Sequence, residues 1–266
     1  MAKNIFKVKR KPKVVKTYRQ SVPATRFIGI KYGDEDRIDG HGGFGKQWGD
    51  WHDNGRFKFL EENCPLADFE DAAAYIGLMR WKGEKGEEDY EPFQYWIGMF
   101  FPEGTEVPEG KAFPEGLDYM DFPASDLGVG WLYGKGSYLF AKEDLAFDAC
   151  GKQGIRMIPD AQDATWFFER YVCPRFTTPD KKKKIILDIC YFAEKEGEAK
   201  RVRVCKKCSG FDVAELEGIL APEEYTTYCI GKCKRHNPEL EGKVYGMIDD
   251  AFVVCGSKEE FLGKIQ

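Results

Sequence analysis
The chain has 266 residues, 32% of them charged and 42% hydrophobic, with a formal net charge of −5. That is enough to bury one large domain or two smaller ones. It excludes a disordered chain, a membrane-spanning one and nucleic acid as a bulk partner of the whole molecule.

The opening Met-Ala-Lys-Asn-Ile-Phe-Lys has no apolar h-region. The expected address is cytoplasmic and reducing, where nine cysteines serve as thiols or metal ligands rather than as a disulfide framework. An aromatic share of 15% is the informative excess; it belongs either to a large β core or to a ligand pocket.

Residues 1–20 form a basic arm: Lys3, Lys7, Lys9, Arg10, Lys11, Lys13, Lys16 and Arg19, with no acid among them. It reads as a solvated arm or an edge strand, with a polyanion contact as the alternative, and it is too short for a helix-turn-helix. Next, Val22-Pro23-Ala24-Thr25-Arg26-Phe27-Ile28-Gly29-Ile30-Lys31-Tyr32-Gly33 is echoed by Phe122-Pro123-Ala124-Ser125-Asp126-Leu127-Gly128-Val129-Gly130-Trp131-Leu132-Tyr133-Gly134. Both stretches run apolar-Pro-Ala-hydroxyl-charged-apolar and close on Tyr-Gly, which predicts an internal duplication.

Each copy leads into a helical stretch, 45–62 in the first half and 142–150 in the second, and then into two strands: 74–81 with 94–101, and 165–171 with 185–192. Two β-α-β-β modules, 21–101 and 117–193, would make an α+β domain with a mixed sheet and helices on one side. The Pro- and Gly-bearing stretch 102–116 connects them, and the lysine run at 181–184 reads as a solvated hairpin end.

The strand at 165–171, Thr-Trp-Phe-Phe-Glu-Arg-Tyr, carries the sharpest functional signal. Period-2 geometry puts Phe167, Glu169 and Tyr171 on one face and Trp166, Phe168 and Arg170 on the other. A carboxylate between two rings either pairs with a lysine on an exposed sheet face, or is buried with a raised pKa in a site that takes a ligand. Both readings stay open on the sequence.

These residues together resemble the GyrI-like (DNA gyrase inhibitor-like) effector-binding domain, the small-molecule domain of many multidrug-sensing regulators, including AraC-type ones. The likeness spans 21–193 and rests on the Pro-Ala-(Ser/Thr) entries, Tyr95-Trp96-Ile97-Gly98-Met99, Glu106-Val107-Pro108-Glu109-Gly110 and the 166–171 motif. It implies duplicated β-α-β-β (SHS2-type) modules that hold bulky, often cationic aromatic compounds between them, with no cofactor. The acid implied as counter-ion is Glu169, with Phe167, Tyr171, Trp131, Tyr133, Trp96, Met99 and Trp48 around it. An enzymatic alternative, hydrolysis of strained electrophilic aromatics, would use Glu169 as general acid or base and Tyr171 as hydrogen-bond donor. Sensing or sequestration would then involve a small aromatic ligand and a separate regulatory protein, with no membrane and no direct nucleic-acid contact.

A charged linker, 194–201, precedes a cysteine-rich stretch, 202–266. Cys205-x-x-Cys208 and Cys229-x-x-x-Cys233, with His236 beyond, form a donor set that suits zinc or, as the alternatives, an iron–sulfur cluster, redox thiols or plain thiols. A strand into Cys205, a helix over 212–220, a strand at 225–229, a hairpin over 244–254 and a helix over 258–265 resemble a thioredoxin-like ferredoxin domain, from which the close spacing of the first cysteine pair departs.

Overall fold
A computed structural model describes residues 11–37, 42–88, 90–110, 113, 116–196, 201–227, 230, 232, 234, 237–249 and 251–265. The chain divides into two compact units, 1–195 and 196–266. The α+β class is observed, as a large antiparallel sheet with few helices and a small separate sheet.

The first unit contains β1 (Lys13–Val22), β2 (Thr25–Tyr32), α1 (Gly45–Asp53), α2 (Arg56–Asn63), β3 (Tyr75–Lys82), β4 (Glu91–Pro102), β5 (Asp118–Phe122), β6 (Ser125–Gly134), α3 (Glu143–Gly151), β7 (Thr165–Tyr171) and β8 (Ile185–Ala193). Its eight strands run β1-β6-β8-β7-β3-β4-β2-β5, and every pairing is antiparallel. The expected mixed sheet is therefore corrected. In each module the second strand returns parallel to the first, but the hairpin's last strand inserts between them, so no parallel pair ever touches.

The central strands read as they are buried. Strand β8, Ile-Ile-Leu-Asp-Ile-Cys-Tyr-Phe-Ala, is almost continuously apolar because both its faces are covered. On one face Ile28, Ile97 and Met99 pack with Trp51, Phe57 and Leu60 of α1 and α2, while Leu132, Leu187 and Ile189 pack with Ala146 of α3. The approach of α3 depends on Gly130, where a Cβ would lie 2.6 Å from that of Ala146. On the other face Phe27, Leu78, Phe100, Val129, Phe168 and Phe192 form a second core, with Phe69 and Ile158 packed against it.

Two strands cross between the halves. Strand β1 adjoins β2 in sequence but pairs with β6 from Lys13↔Tyr133 to Val22↔Ser125. Strand β5 adjoins β6 but pairs with β2 from Thr25↔Phe122 to Gly29↔Asp118. From Lys13 onward the basic segment is thus part of an edge strand.

The face opposite the helices also holds a buried ion network. Arg170, 1% exposed, donates from Nε (3.2 Å) and Nη2 (3.0 Å) to Oδ2 of the fully buried Asp188, and also to Gln20 Oε1 (2.8 Å) and Tyr18 Oη (3.1 Å). Arg175 donates to the same carboxylate from Nε (2.9 Å) and Nη2 (2.6 Å), and it also bonds Asp71. These links tie β1, β7, β8 and the segment before β3 together.

The second unit contains β9 (Val202–Arg203), β10 (Tyr225–Thr226), β11 (Val244–Ile248), β12 (Ala251–Cys255) and α4 (Lys258–Gly263). Its sheet order is β10-β9-β11-β12, with β9 and β10 parallel and the other pairs antiparallel. The helix expected over 212–220 is a 3-10 helix, Val213–Gly218, with the Asp212 side chain accepting from Ala214 N.

Candidate functional site
Glu169 lies on the helix-covered face of β7 and is 5% exposed. Its neighbours across the sheet are Gly77 on β3 and Ile189 on β8. Gly77 is what lets the site form. With no side chain there, the ring of Tyr95 reaches from β4 across β3, and its hydroxyl sits 2.4 Å from where a Cβ of residue 77 would be.

The Tyr95 hydroxyl donates to Glu169 Oε2 at 3.3 Å, and the Tyr171 hydroxyl donates to the same oxygen at 2.6 Å. Trp48 of α1 closes the cluster, with Nε1 donating to Tyr95 Oη (2.9 Å) and the indole edge-on to Tyr171, ring centres 4.5 Å apart. Phe44 stacks on Tyr95 at 4.1 Å. Among the described residues no lysine or arginine pairs with Glu169, and no hydrogen bond reaches its Oε1.

The electrostatics follow from that composition. Burial pushes the Glu169 carboxyl up to about 7; the Tyr171 hydroxyl opposes the rise, the charge of Glu143 adds to it, and the Tyr95 hydroxyl opposes it. Glu143, in the first turn of α3, is itself raised by burial, against backbone donors at the helix start. Tyr95 and Tyr171 lie well above the phenol range, from burial first and the Glu169 charge second, so both stay protonated donors. A carboxyl poised near neutrality, ringed by phenols and an indole, can hold a cation or exchange a proton.

The structure brings together Glu169, Tyr171 and Trp48. Phe167 shares the face and lies edge-on to Phe147 of α3, ring centres 5.3 Å apart. Met99 is on this face too, fully buried in the core beneath α1 and α2. Trp96, Trp131 and Tyr133 are not part of the cluster. Trp96 neighbours Leu78 and packs in the opposite core, Trp131 is paired with Asp188 under Arg175, and Tyr133 bonds Asp180. Trp96 and Met99, three apart on one strand, cannot share a face. Gly77, Tyr95, Phe44 and Glu143 were missed; the parity of Tyr95 with Met99 and a glycine inside a strand were the available signals.

Gly77→Ala is expected to drive a methyl into the Tyr95 hydroxyl, at a cost of about 1–3 kcal/mol in urea unfolding. It should also redshift tryptophan emission as Trp48 loses its partner. A variant with unchanged stability and emission would refute this arrangement.

In the second unit, Cys205 is buried just after β9, and Cys208 is half-buried in the turn that follows, with its N–H bonded to Cys205 O at 3.1 Å. Cys229, Cys233 and His236 lie outside the described residues. Among the described residues no three His, Cys, Asp or Glu side chains group around a common metal position. No described helix is long and apolar enough to cross a membrane.

No family model matches the chain, and no curated protein matches it. Among solved structures the chain is similar to SAV2435 bound to tetraphenylphosphonium, at 17% identity over 68% of this chain and 94% of that one, TM-score 0.44. It is similar to an integron cassette protein from the mobile metagenome of Vibrio cholerae, at 10% identity over 69% and 99%, TM-score 0.37. It is also similar to a hydrolase encoded by lin2189 from Listeria innocua, at 12% identity over 71% and 94%, TM-score 0.35.

Proposed function
We propose that the first unit binds a bulky aromatic cation, with Glu169 as counter-ion in a GyrI-like effector-binding site, and so senses or sequesters such compounds. The observation that carries this reading is a carboxylate buried among rings with no internal cation among the described residues. An ion left unpaired in a dry environment is costly, and a ligand cation relieves that cost while the ring faces add roughly 0.5–2 kcal/mol each. Trp48, on a helix weakened by Gly45 and Gly49, is the side chain that would swing aside to admit it.

The test is a fluorescence titration with tetraphenylphosphonium across pH. The cation needs the ionised form, and Glu169 ionises at about 7, so affinity should be full at pH 8.5 and fall roughly thirtyfold by pH 5.5. Affinity independent of pH, or stronger in acid, would overturn the reading.

Catalysis is a second reading, favoured by the same carboxyl being poised near 7. Glu169 would act as general acid or base on a strained electrophilic aromatic, with Tyr171 donating to the departing oxygen.

In the second unit, Cys205, Cys208, Cys229 and Cys233 would hold one zinc ion, with an iron–sulfur cluster or redox thiols as the alternatives. Support comes from donor chemistry, four soft thiolates at metal-ligand spacing. Elemental analysis of the untagged protein is expected to return about one zinc per chain, and Cys208→Ser to lose it. Stoichiometric iron and acid-labile sulfide, or metal-free protein, would replace the zinc reading.

A further inference from the structure
Two lysine groups far apart in the sequence meet at one end of the first unit's sheet. Strand β1 begins with Lys13, two residues after Lys11, and the loop between β7 and β8 carries the lysines at 181–184. They converge because β1 and β8 flank β6, with Lys13 registered to Tyr133 and Tyr133 to Ile186. Lys13 Nζ lies 5.9 Å and Lys184 Nζ 4.5 Å from the centre of the Tyr133 ring. The turn after β6 adds Lys135 and two exposed rings, Tyr138 at 43% and Phe140 at 46%.

The one acid in that loop, Asp180, is exposed, but its oxygens are taken up by local donors. Asp180 accepts from the Tyr133 hydroxyl (2.5 Å) and from the backbone N–H of Lys182 (2.7 Å) and Lys184 (3.0 Å), which pins the hairpin end under the ring. Among the described residues none of these lysines has a carboxylate within salt-bridge distance, and six of the seven are exposed, Lys184 being half-buried. Seven like charges gathered around a single carboxylate, Asp180, repel one another, and a polyanion relieves that repulsion by releasing its own condensed ions.

We propose that this end of the sheet binds the phosphate backbone of single-stranded nucleic acid without sequence preference. Lysines supply point charges rather than the fork that reads base edges, and exposed rings beside them offer stacking surfaces that tolerate any base. The net charge of −5 does not oppose this locally, since beyond a Debye length of about 8 Å distant carboxylates are screened. Two isolated rings are not the contiguous apolar surface that insertion into a bilayer uses. The proposal does not rest on the Glu169 site.

Fluorescence polarisation with a labelled oligothymidylate between 50 and 200 mM salt tests it, the full chain being used throughout. Wild type is expected to bind with a log–log salt slope of about −0.7 per phosphate engaged. The triple variant Lys181→Gln, Lys182→Gln, Lys184→Gln should bind at least about tenfold more weakly at low salt, with the slope reduced by about two. Tyr138→Ser with Phe140→Ser should weaken binding and leave the slope unchanged. Lys58→Gln with Lys85→Gln, away from this end, should match wild type. If the triple variant unfolds, Lys13→Gln with Lys135→Gln replaces it. Absence of wild-type binding overturns the proposal, as does a patch variant that binds like wild type. Capture by phosphatidylserine vesicles but not by oligonucleotide would overturn it in favour of a membrane surface.

Discussion
Glu169→Gln is expected to weaken tetraphenylphosphonium binding by about ten- to a hundredfold and, at the same time, to make the empty protein more stable above neutral pH. The two effects have one cause. The Glu169 carboxyl ionises at about 7 when folded, against 4.5 for an ordinary glutamate. A group whose folded value is raised contributes stability that is complete below the unfolded value and is lost as pH climbs through the folded one. Between pH 4.5 and about 7 wild type therefore gives up roughly 3 kcal/mol that the glutamine variant keeps. Denaturation at pH 5 should then show the two proteins nearly equal, and at pH 8.5 the variant ahead. The glutamine still accepts from Tyr171, so the cluster survives while the charge is lost. Paired titrations separate the two readings of the site: lost cation affinity marks binding, whereas lost turnover of an electrophilic cyclopropane compound with affinity retained marks catalysis. A variant that binds the cation as wild type does, with the same pH dependence of stability, would remove Glu169 from both.

The second large effect lies on the opposite face of the sheet, where Asp188 of β8 meets Arg170 of β7. Asp188→Asn should cost about 3–5 kcal/mol, because it leaves two arginines facing a neutral amide in a place where water cannot replace the lost charge. Arg170 is almost wholly buried; Gln20 and Tyr18 carry no charge to take over, and its other carboxylate, Asp71, stands 3.6 Å away and is shared with Arg175. A double replacement, Arg170→Met with Asp188→Leu, should cost much less than the single change, since it removes the charge together with its need for a partner. Cation affinity measured on the folded fraction should stay within about twofold, the network and Glu169 being on opposite faces of β7. A loss below about 1 kcal/mol for Asp188→Asn would show that Asp71 alone suffices to hold both arginines.

Much of this was legible in the residues. The Pro-Ala-hydroxyl echo and the β-formers after it marked all six module strands, and alternation along 165–171 put Glu169 and Tyr171 on one face, as found. In the second unit the short apolar runs marked the succession of elements along the chain, and not the order of its strands in the sheet. What failed was reach across strands. Periodicity says which face a residue takes but not which neighbour it meets, so Trp131 and Tyr133 were grouped with a carboxylate that the sheet itself separates from them. Tyr95 was overlooked because its role depends on an absence, the missing side chain of Gly77 one strand away. The all-antiparallel order was likewise hidden, since nothing local announces that a hairpin will fold back into the gap between two earlier strands.

The traded edge strands carry an implication for descent. A single-repeat ancestor could satisfy the same hydrogen bonds only as a homodimer whose copies exchanged their leading strands, the twofold axis falling where β3 now meets β7. In such a dimer every carboxylate comes twice, and two acids buried beside the axis would repel one another. In one polypeptide the sister positions are free to differ, and here Glu169 faces a bare glycine, Gly77, across that line.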